Sequence, residues 1–265
     1  MQEAIEQRIE IGKGNKTWED YSFEERTCKG WLLPYLVDID SIFTGRWDYW
    51  LDILQRKTLD DKKIPKIIFL DSPNNETMTH LRKCLEAYCC HSVRLPDFLE
   101  WLLWGFGESK ERARIDDKVN EHWYRTFNLG LLLKYPHDYL GELLADSKSG
   151  RTYWNNPNGF FATPHAVVEM MTRITFDNGD NRSKTVDDCC VGTGRMLLHA
   201  SNYSLRLYGQ DIDRTCIMAC KINGYLYAPW LVKPLNSLFE LEQRGRRIRM
   251  PLGISVRRGE RKVLG

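Results

Sequence analysis

The sequence predicts an α/β fold in which a mainly helical N-terminal region precedes one βαβ unit of a parallel sheet. Three observations predict it. Before position 146 the apolar residues fall in helix-length blocks punctuated by Pro and Gly. After Ser147 the text changes to the turn-forming run SKSGRTYWNNPNG. Beyond Thr185 a strand, a glycine-containing turn, a helix and a second strand follow within about thirty residues, the length of a βαβ unit. These observations divide the chain into a helical region (1–150), an α/β core (151–238) and a basic tail (239–265).

The first thirty residues are polar. Trp31 to Leu54 is rich in large apolar residues and ends in a charged surface run, Lys57–Lys63. Lys66-Ile-Ile-Phe-Leu70 is a short apolar run, a strand or a helix end, entering the turn Asp71-Ser-Pro-Asn-Asn75. Helices are predicted from Glu76 to about His91, from Asp97 to Trp104 after Pro96, from Asp116 to Lys134, and from Asp138 to Ala145. Seven of the nine tryptophans lie before residue 130, which places an aromatic core in this half. Further on, Val167, Met170, Met171 and Ile174 recur at i, i+3, i+4 and i+7, an amphipathic helix with Pro164 near its start. A strand at Thr185–Asp188, a helix from Arg195 to Ser201, a strand at Leu205–Ile212 and a helix opened by Asp213 complete the series.

Composition excludes several classes. A 42% apolar and 28% charged chain is that of an ordinary globular protein, and 265 residues suffice for a sizeable core. No apolar run approaches the ~18 residues of a membrane span, and the N-terminus has no signal-peptide core, so a cytoplasmic chain with no membrane partner is expected. Cys89–Cys90 and Cys189–Cys190 are adjacent pairs and no CxxC occurs. Cys84, Cys89, Cys90 and His91 match no standard zinc spacing, so reduced, mostly buried thiols and no metal are expected. The net charge of +2 is unremarkable, but the tail sets eight basic residues (Arg244, Arg246, Arg247, Arg249, Arg257, Arg258, Arg261, Lys262) against Glu240, Glu242 and Glu260. A net +5 there suits a nucleic-acid backbone, or a solvated terminus.

The chemistry concentrates between Val186 and Asp213. Gly192 and Gly194 flank Thr193 between strand and helix, where a missing Cβ lets backbone approach a ligand. Asp211 lies 23 residues after Asp188, at the tip of the next strand, where such folds place a carboxylate to accept ribose hydroxyls. A dinucleotide site wants a third glycine, but Leu197 stands there, and Asp188 would repel a pyrophosphate. That acidic residue suits instead the cationic methionine end of S-adenosyl-L-methionine. His165 and His199 are assigned no role, and small apolar filling is the default for Cys189 and Cys190.

From about Asp138 to Leu238 the sequence resembles the N6-adenine DNA methyltransferase family that includes modification subunits of type I restriction systems. Tyr139-Leu-Gly-Glu-Leu143 is similar to the family's D-x-L-G helix before the catalytic domain. Gly159-Phe-Phe-Ala-Thr-Pro164, with Val167 and Val168, is similar to the element that packs over the methionine moiety. Asp188 to Gly194 resembles D-P-x-C-G-T-G, with Cys189 in place of proline and Val191 in place of cysteine. Tyr208-Gly-Gln-Asp211 resembles the adenosine-ribose strand. Leu235-Asn-Ser-Leu238 resembles the next cofactor strand, with Asn236 where an aspartate usually meets the adenine amino group.

The resemblance implies a Rossmann-like SAM-dependent methyltransferase fold, with S-adenosyl-L-methionine as cofactor. It implies contacts from Phe161, Thr163 and Pro164 on one side, and from Asp188, Cys189, Gly192, Thr193 and Gly194 in the turn. Asp211, Ile212 and Asn236 follow on the next strands. It further implies methylation of adenine N6 in DNA, with DNA held by residues 244–262 and a specificity or restriction subunit as partner. The family's Asn-Pro-Pro-Tyr/Phe loop has no counterpart after Leu238, so the domain reads as truncated and no catalytic residue is assigned. Asn155-Asn-Pro-Asn158 and Asp71-Ser-Pro-Asn74 are ordinary turns by composition. The alternative function is a catalytically inactive SAM/DNA-binding module.

Overall fold

A computed structural model describes residues 29–86, 94–108, 115–145 and 160–235, together with the backbone of 255–256. In the helical half, local chemistry sets the helix starts. α1 (Leu33–Phe43) carries Pro34 in its first turn, where a missing N–H costs nothing, and α2 (Arg46–Arg56) follows after Gly45. α3 (Asn75–Leu85) is capped by Asn74, whose Oδ1 accepts the Thr77 N–H at 3.0 Å. The Asp71-Ser-Pro-Asn74 stretch is therefore a helix start. α4 (Leu95–Gly105) again carries its proline, Pro96, in the first turn.

The block expected as one helix from Asp116 to Lys134 is two, α5 (Asp117–Thr126) and α6 (Leu129–Lys134). Asn128 makes the break. Its Oδ1 accepts the Gly130 N–H at 3.0 Å, while its own N–H donates to His80 Nε2 at 2.8 Å rather than to a helix carbonyl. α7 (Tyr139–Ala145) closes this half. Residues 66–70 form neither strand nor helix. The side-chain amide of Asn202 takes the place of a neighbouring strand, accepting the Ile67 N–H and donating to the Ile67 carbonyl, both at 2.8 Å.

The second half runs α8 (His165–Thr175), β1 (Thr185–Asp188), α9 (Arg195–Ala200), β2 (Arg206–Asp211), α10 (Arg214–Tyr227) and α11 (Pro229–Val232). β1 and β2 are parallel, with Thr185 opposite Arg206 and Asp188 opposite Gly209, so the expected βαβ unit is present. A third strand, β3 (Ser255–Val256), pairs parallel to β2 with Gln210 opposite Ser255, giving the order β1-β2-β3. β3 falls within the segment read from the sequence as a basic tail; the tail's charged side chains and Asn236 lie outside the described residues.

Trp47, Trp50, Trp101, Trp123 and Trp230 are all buried, so the tryptophan richness builds core. Residues on both sides of position 150 share that core. Trp47 Nε1 donates to the Tyr225 carbonyl at 2.8 Å and Trp50 Nε1 to the Lys233 carbonyl at 2.9 Å. Between them sits Arg46, with no exposed surface. Its guanidinium donates to the carbonyls of Pro65 (2.7 Å) and Tyr227 (2.5 Å), to Ser201 Oγ (2.6 Å) and to Asn202 Oδ1, and lies 5.1 Å from the Trp230 ring centre.

α8 is oriented against its pattern. An amphipathic helix ordinarily turns its apolar stripe to the core, yet Val167, Met170, Met171 and Ile174 are exposed. The buried face is His165, Val168 and Thr172. Its polar members are satisfied: His165 Nδ1 lies 2.8 Å from His199 Nε2, and the Thr172 hydroxyl bonds the carbonyls of Val168 and Glu169 at 3.1 and 2.9 Å.

Candidate functional site

Parallel pairing brings the C-terminal ends of β1 and β2 to the same edge, and Asp188 and Asp211 stand there. The chain between β1 and α9 turns tightly. The Val191 N–H donates to the Gln210 carbonyl at 3.0 Å and the Gly194 N–H to the Val191 carbonyl at 2.8 Å. Gly192 and Gly194 both take positive φ, 54° and 89°. A Cβ at Gly192 would stand 2.8 Å from the Phe160 ring, and one at Gly194 2.6 Å from Cys220 Sγ. Conformation and space each demand glycine at both positions.

Asp211 ties this turn to the next strand. Its Oδ2 accepts the Gly192 N–H at 2.8 Å and its Oδ1 the Asp213 N–H at 2.9 Å. Each carboxylate oxygen keeps a further lone pair for a ligand hydroxyl. Asp188 is half-buried and accepts the Cys190 N–H at 3.1 Å. Burial lifts its pKa above the usual carboxylate range against the pull of that hydrogen bond, and Asp187 and Asp211 add like charge. Cations close in sequence are turned to other groups: Lys184 pairs with Asp177 (2.9 Å), and Arg206 donates to the Ser183 carbonyl (3.2 Å). Arg195 pairs with Asp138 (3.1 Å) and Glu142 (2.9 Å), Arg214 with Glu100 (2.9 Å) and Lys221 with Glu108 (2.6 Å). The edge is thus negative, and a ligand bearing positive charge fits it.

Behind the turn stands a fully buried carboxylate. Asp138 accepts from Thr193 Oγ1 (2.5 Å), Arg195 Nε (3.1 Å), Asn223 Nδ2 (2.8 Å) and the Gly141 N–H (2.9 Å). Asn223 also donates to the Thr193 carbonyl at 2.9 Å. One side chain so joins α7, the glycine turn, α9 and α10. The sequence reading missed Asp138 as a positioning residue, although its signal was the D-x-L-G spacing of Asp138, Leu140 and Gly141.

The remaining expected site residues separate. Thr193 is buried and turned inward to Asp138, so its side chain shapes the turn. Phe161 is 94% exposed, whereas its neighbour Phe160 covers Gly192. Thr163 and Pro164 are exposed at the start of α8; the Thr163 carbonyl accepts from Arg195 at 2.9 Å. Ile212 is exposed beside Asp211. Cys189 and Cys190 are both exposed, so they are not apolar filling, while Cys84, Cys216 and Cys220 are buried. His165 and His199 are buried against Phe69, with the His137 ring 4.4 Å from His165 between centres. Burial, reinforced by Arg195, pushes His165 down to about 2, and burial pushes His199 down to about 4, so both are neutral packing residues. Among the described residues no group of three or more His, Cys, Asp or Glu side chains is placed to hold a metal ion, and no helix is long and apolar enough to cross a membrane.

By sequence, residues 152–228 match the family described as N-6 DNA Methylase. The resemblance to the N6-adenine methyltransferases is therefore borne out over the segment that contains α8, the glycine turn, both carboxylates and α10. A tRNA (guanine(10)-N2)-dimethyltransferase from Pyrococcus abyssi (strain GE5 / Orsay) is 23% identical over 148 residues, 56% of this chain and 42% of that protein. The chain thus matches less than half the length of that relative. No solved structure matches the chain.

Proposed function

We propose that this chain binds S-adenosyl-L-methionine in a Rossmann-like methyltransferase fold and serves methyl transfer to adenine N6 in DNA. The observation that carries the reading is the carboxylate pair Asp188 and Asp211 at one sheet edge, astride a turn that only glycine can make, with the nearby cations engaged elsewhere. Ligands of open α/β sheets bind outside the carboxyl ends of the strands. In this reading Asp211 accepts the ribose hydroxyls with its remaining lone pairs, and Asp188 faces the ammonium of the methionine end. Phe161 and Ile212 offer exposed apolar surface to the rest of the molecule. When bound, the cofactor supplies an electrophilic methyl group; the chain's own contribution is alignment of donor and acceptor. The family description and the relative's name both point to a nitrogen of a nucleobase as acceptor. Residues 244–262 would hold the phosphate backbone, beside a specificity or restriction subunit.

A second reading, a cofactor-binding module without chemistry of its own, is favoured by one observation: no Asn-Pro-Pro-aromatic tetrapeptide occurs in the sequence. Calorimetry with S-adenosyl-L-methionine and transfer of labelled methyl to adenine-containing DNA separate the two. The enzyme reading expects binding and transfer, the module reading binding alone, and absence of binding overturns both. Asp188→Asn keeps the oxygen that accepts the Cys190 N–H while removing the charge, and is expected to weaken binding about tenfold. Asp211→Ala is expected to abolish it.

A further inference from the structure

Cys190 has no role in the reading above, and Cys189 has only the turn contact that the resemblance implies. They follow Asp188 directly and both are exposed. The other described cysteines are buried. Two exposed thiols on consecutive residues form a dithiol ligand, and the geometry selects what it can hold. The Cys189–Cys190 peptide is trans, which sets consecutive Cα atoms about 3.8 Å apart. A relaxed disulfide spans about 4.4–6.8 Å between Cα atoms. A direct S–S bond is therefore poorly accommodated, whereas a bridging atom bonded to both sulfurs lengthens the link. Zinc takes four protein ligands in a structural site, and no described group supplies even three. Two thiols and nothing more suit a soft trivalent centre that brings its own third substituent.

We propose that Cys189–Cys190 is a dithiol site for a trivalent arsenical, and that its occupancy excludes the ligand of the glycine turn. The second half rests on the cofactor reading above. The step is a condensation: the arsenoxide R–As=O and two S–H groups give two As–S bonds, and the oxygen leaves with both thiol protons as water. Arsenic stays trivalent and no oxidant is consumed. The surroundings favour this over thiolate chemistry. The contact with Cys189, then burial, Asp211 and Asp188 hold the Cys190 thiol above its usual range, so it stays protonated and alkylates slowly. Occupancy would alter the loop in which the Cys190 N–H bonds Asp188 and the Gly192 N–H bonds Asp211, the two carboxylates of the proposed cofactor site.

The test uses the full chain, phenylarsine oxide and peptide mapping by mass, because Cys89 and Cys90 are also adjacent in the sequence. One arsenical is expected on the peptide containing Cys189 and Cys190, released by a dithiol and not by a monothiol. Cys189→Ser and Cys190→Ser should each lower capture at that peptide more than tenfold, while the Cys89→Ser/Cys90→Ser variant retains it. No adduct there, or full capture by either single variant, overturns the dithiol site. Saturating S-adenosyl-L-methionine should slow capture at least tenfold; unchanged capture in a chain that demonstrably binds the cofactor overturns the exclusion. A chain that captures the arsenical and binds no cofactor keeps the site and sinks the cofactor reading alone.

Discussion

His165 and His199 touch ring nitrogen to ring nitrogen in a place closed to solvent, and protonating either puts an unpaired charge there. Free histidine titrates near 6.5, while burial holds His165 down to about 2 and His199 down to about 4. Below about pH 6.5 the unfolded chain takes up protons that the folded chain refuses, so stability rises with pH across that range. The stabilisation is complete above about 6.5 and drains as the pH falls toward 4. Glu142, lowered by its hydrogen bond to His137 and by Arg195, adds acid sensitivity only as the pH falls below its ordinary value of 4.5, outside the window between pH 5 and 7. Thermal melts at pH 7.5 and 5 are expected to show a lower Tm at the acid value, and His199→Gln to shrink the difference. A pH-independent Tm across that window would contradict the neutral, buried pair. The sequence marked Asp188, Gly192, Gly194 and Asp211 through their spacing, and the structure brings these four together. Asp138 went unmarked because, beyond the D-x-L-G spacing, a carboxylate at a helix start that accepts the nearby Gly141 N–H looks like any capping residue until Thr193, Arg195 and Asn223 arrive from distant segments.

α8 separates two things that a sequence pattern usually merges. Spacing shows which residues share a face, and Val167, Met170, Met171 and Ile174 do share one. It does not show what lies opposite, and the core meets His165, Val168 and Thr172 instead. Similarly, the strands and helices from Thr185 to Tyr227 were legible within a residue or so, since punctuation by Gly and Asp is local. The single helix expected over Asp116–Lys134 was not, since its break depends on His80 taking the Asn128 N–H from far along the chain. The orientation of α8 is testable by substitution. Met170→Lys with Ile174→Lys alters only exposed positions and should change stability by no more than about 0.5 kcal/mol each. Val168→Ala removes methyl groups from a wholly buried site and should cost about 2 kcal/mol. Denaturant titration decides it, and a larger loss from the lysine pair would mean that the apolar stripe faces inward.

At the scale of the whole molecule, the helical half and the sheet half are joined through polar groups as much as through apolar ones. Arg46 starts α2, yet the groups it satisfies belong to the 65–70 segment, the end of α9 and the end of α10. Burial drags its pKa down to about 9, opposed by Asp40, so the charge is retained at neutral pH by its fork of oxygen acceptors and the Trp230 face. Removing the guanidinium strands those acceptors away from water on both halves at once. Arg46→Ala is therefore expected to cost about 3–5 kcal/mol, and Arg46→Lys to recover little, because an ammonium cannot reproduce the planar fork. Joined by Trp47, Trp50 and Arg46, the halves are expected to unfold as one cooperative unit. Unfolding followed by tryptophan fluorescence and by far-UV circular dichroism should give coincident transitions in the parent protein and a single, lower midpoint in Arg46→Ala. Two separated transitions in the parent, with only one of them moved by the substitution, would show that the sheet half folds without the helices that pack on it.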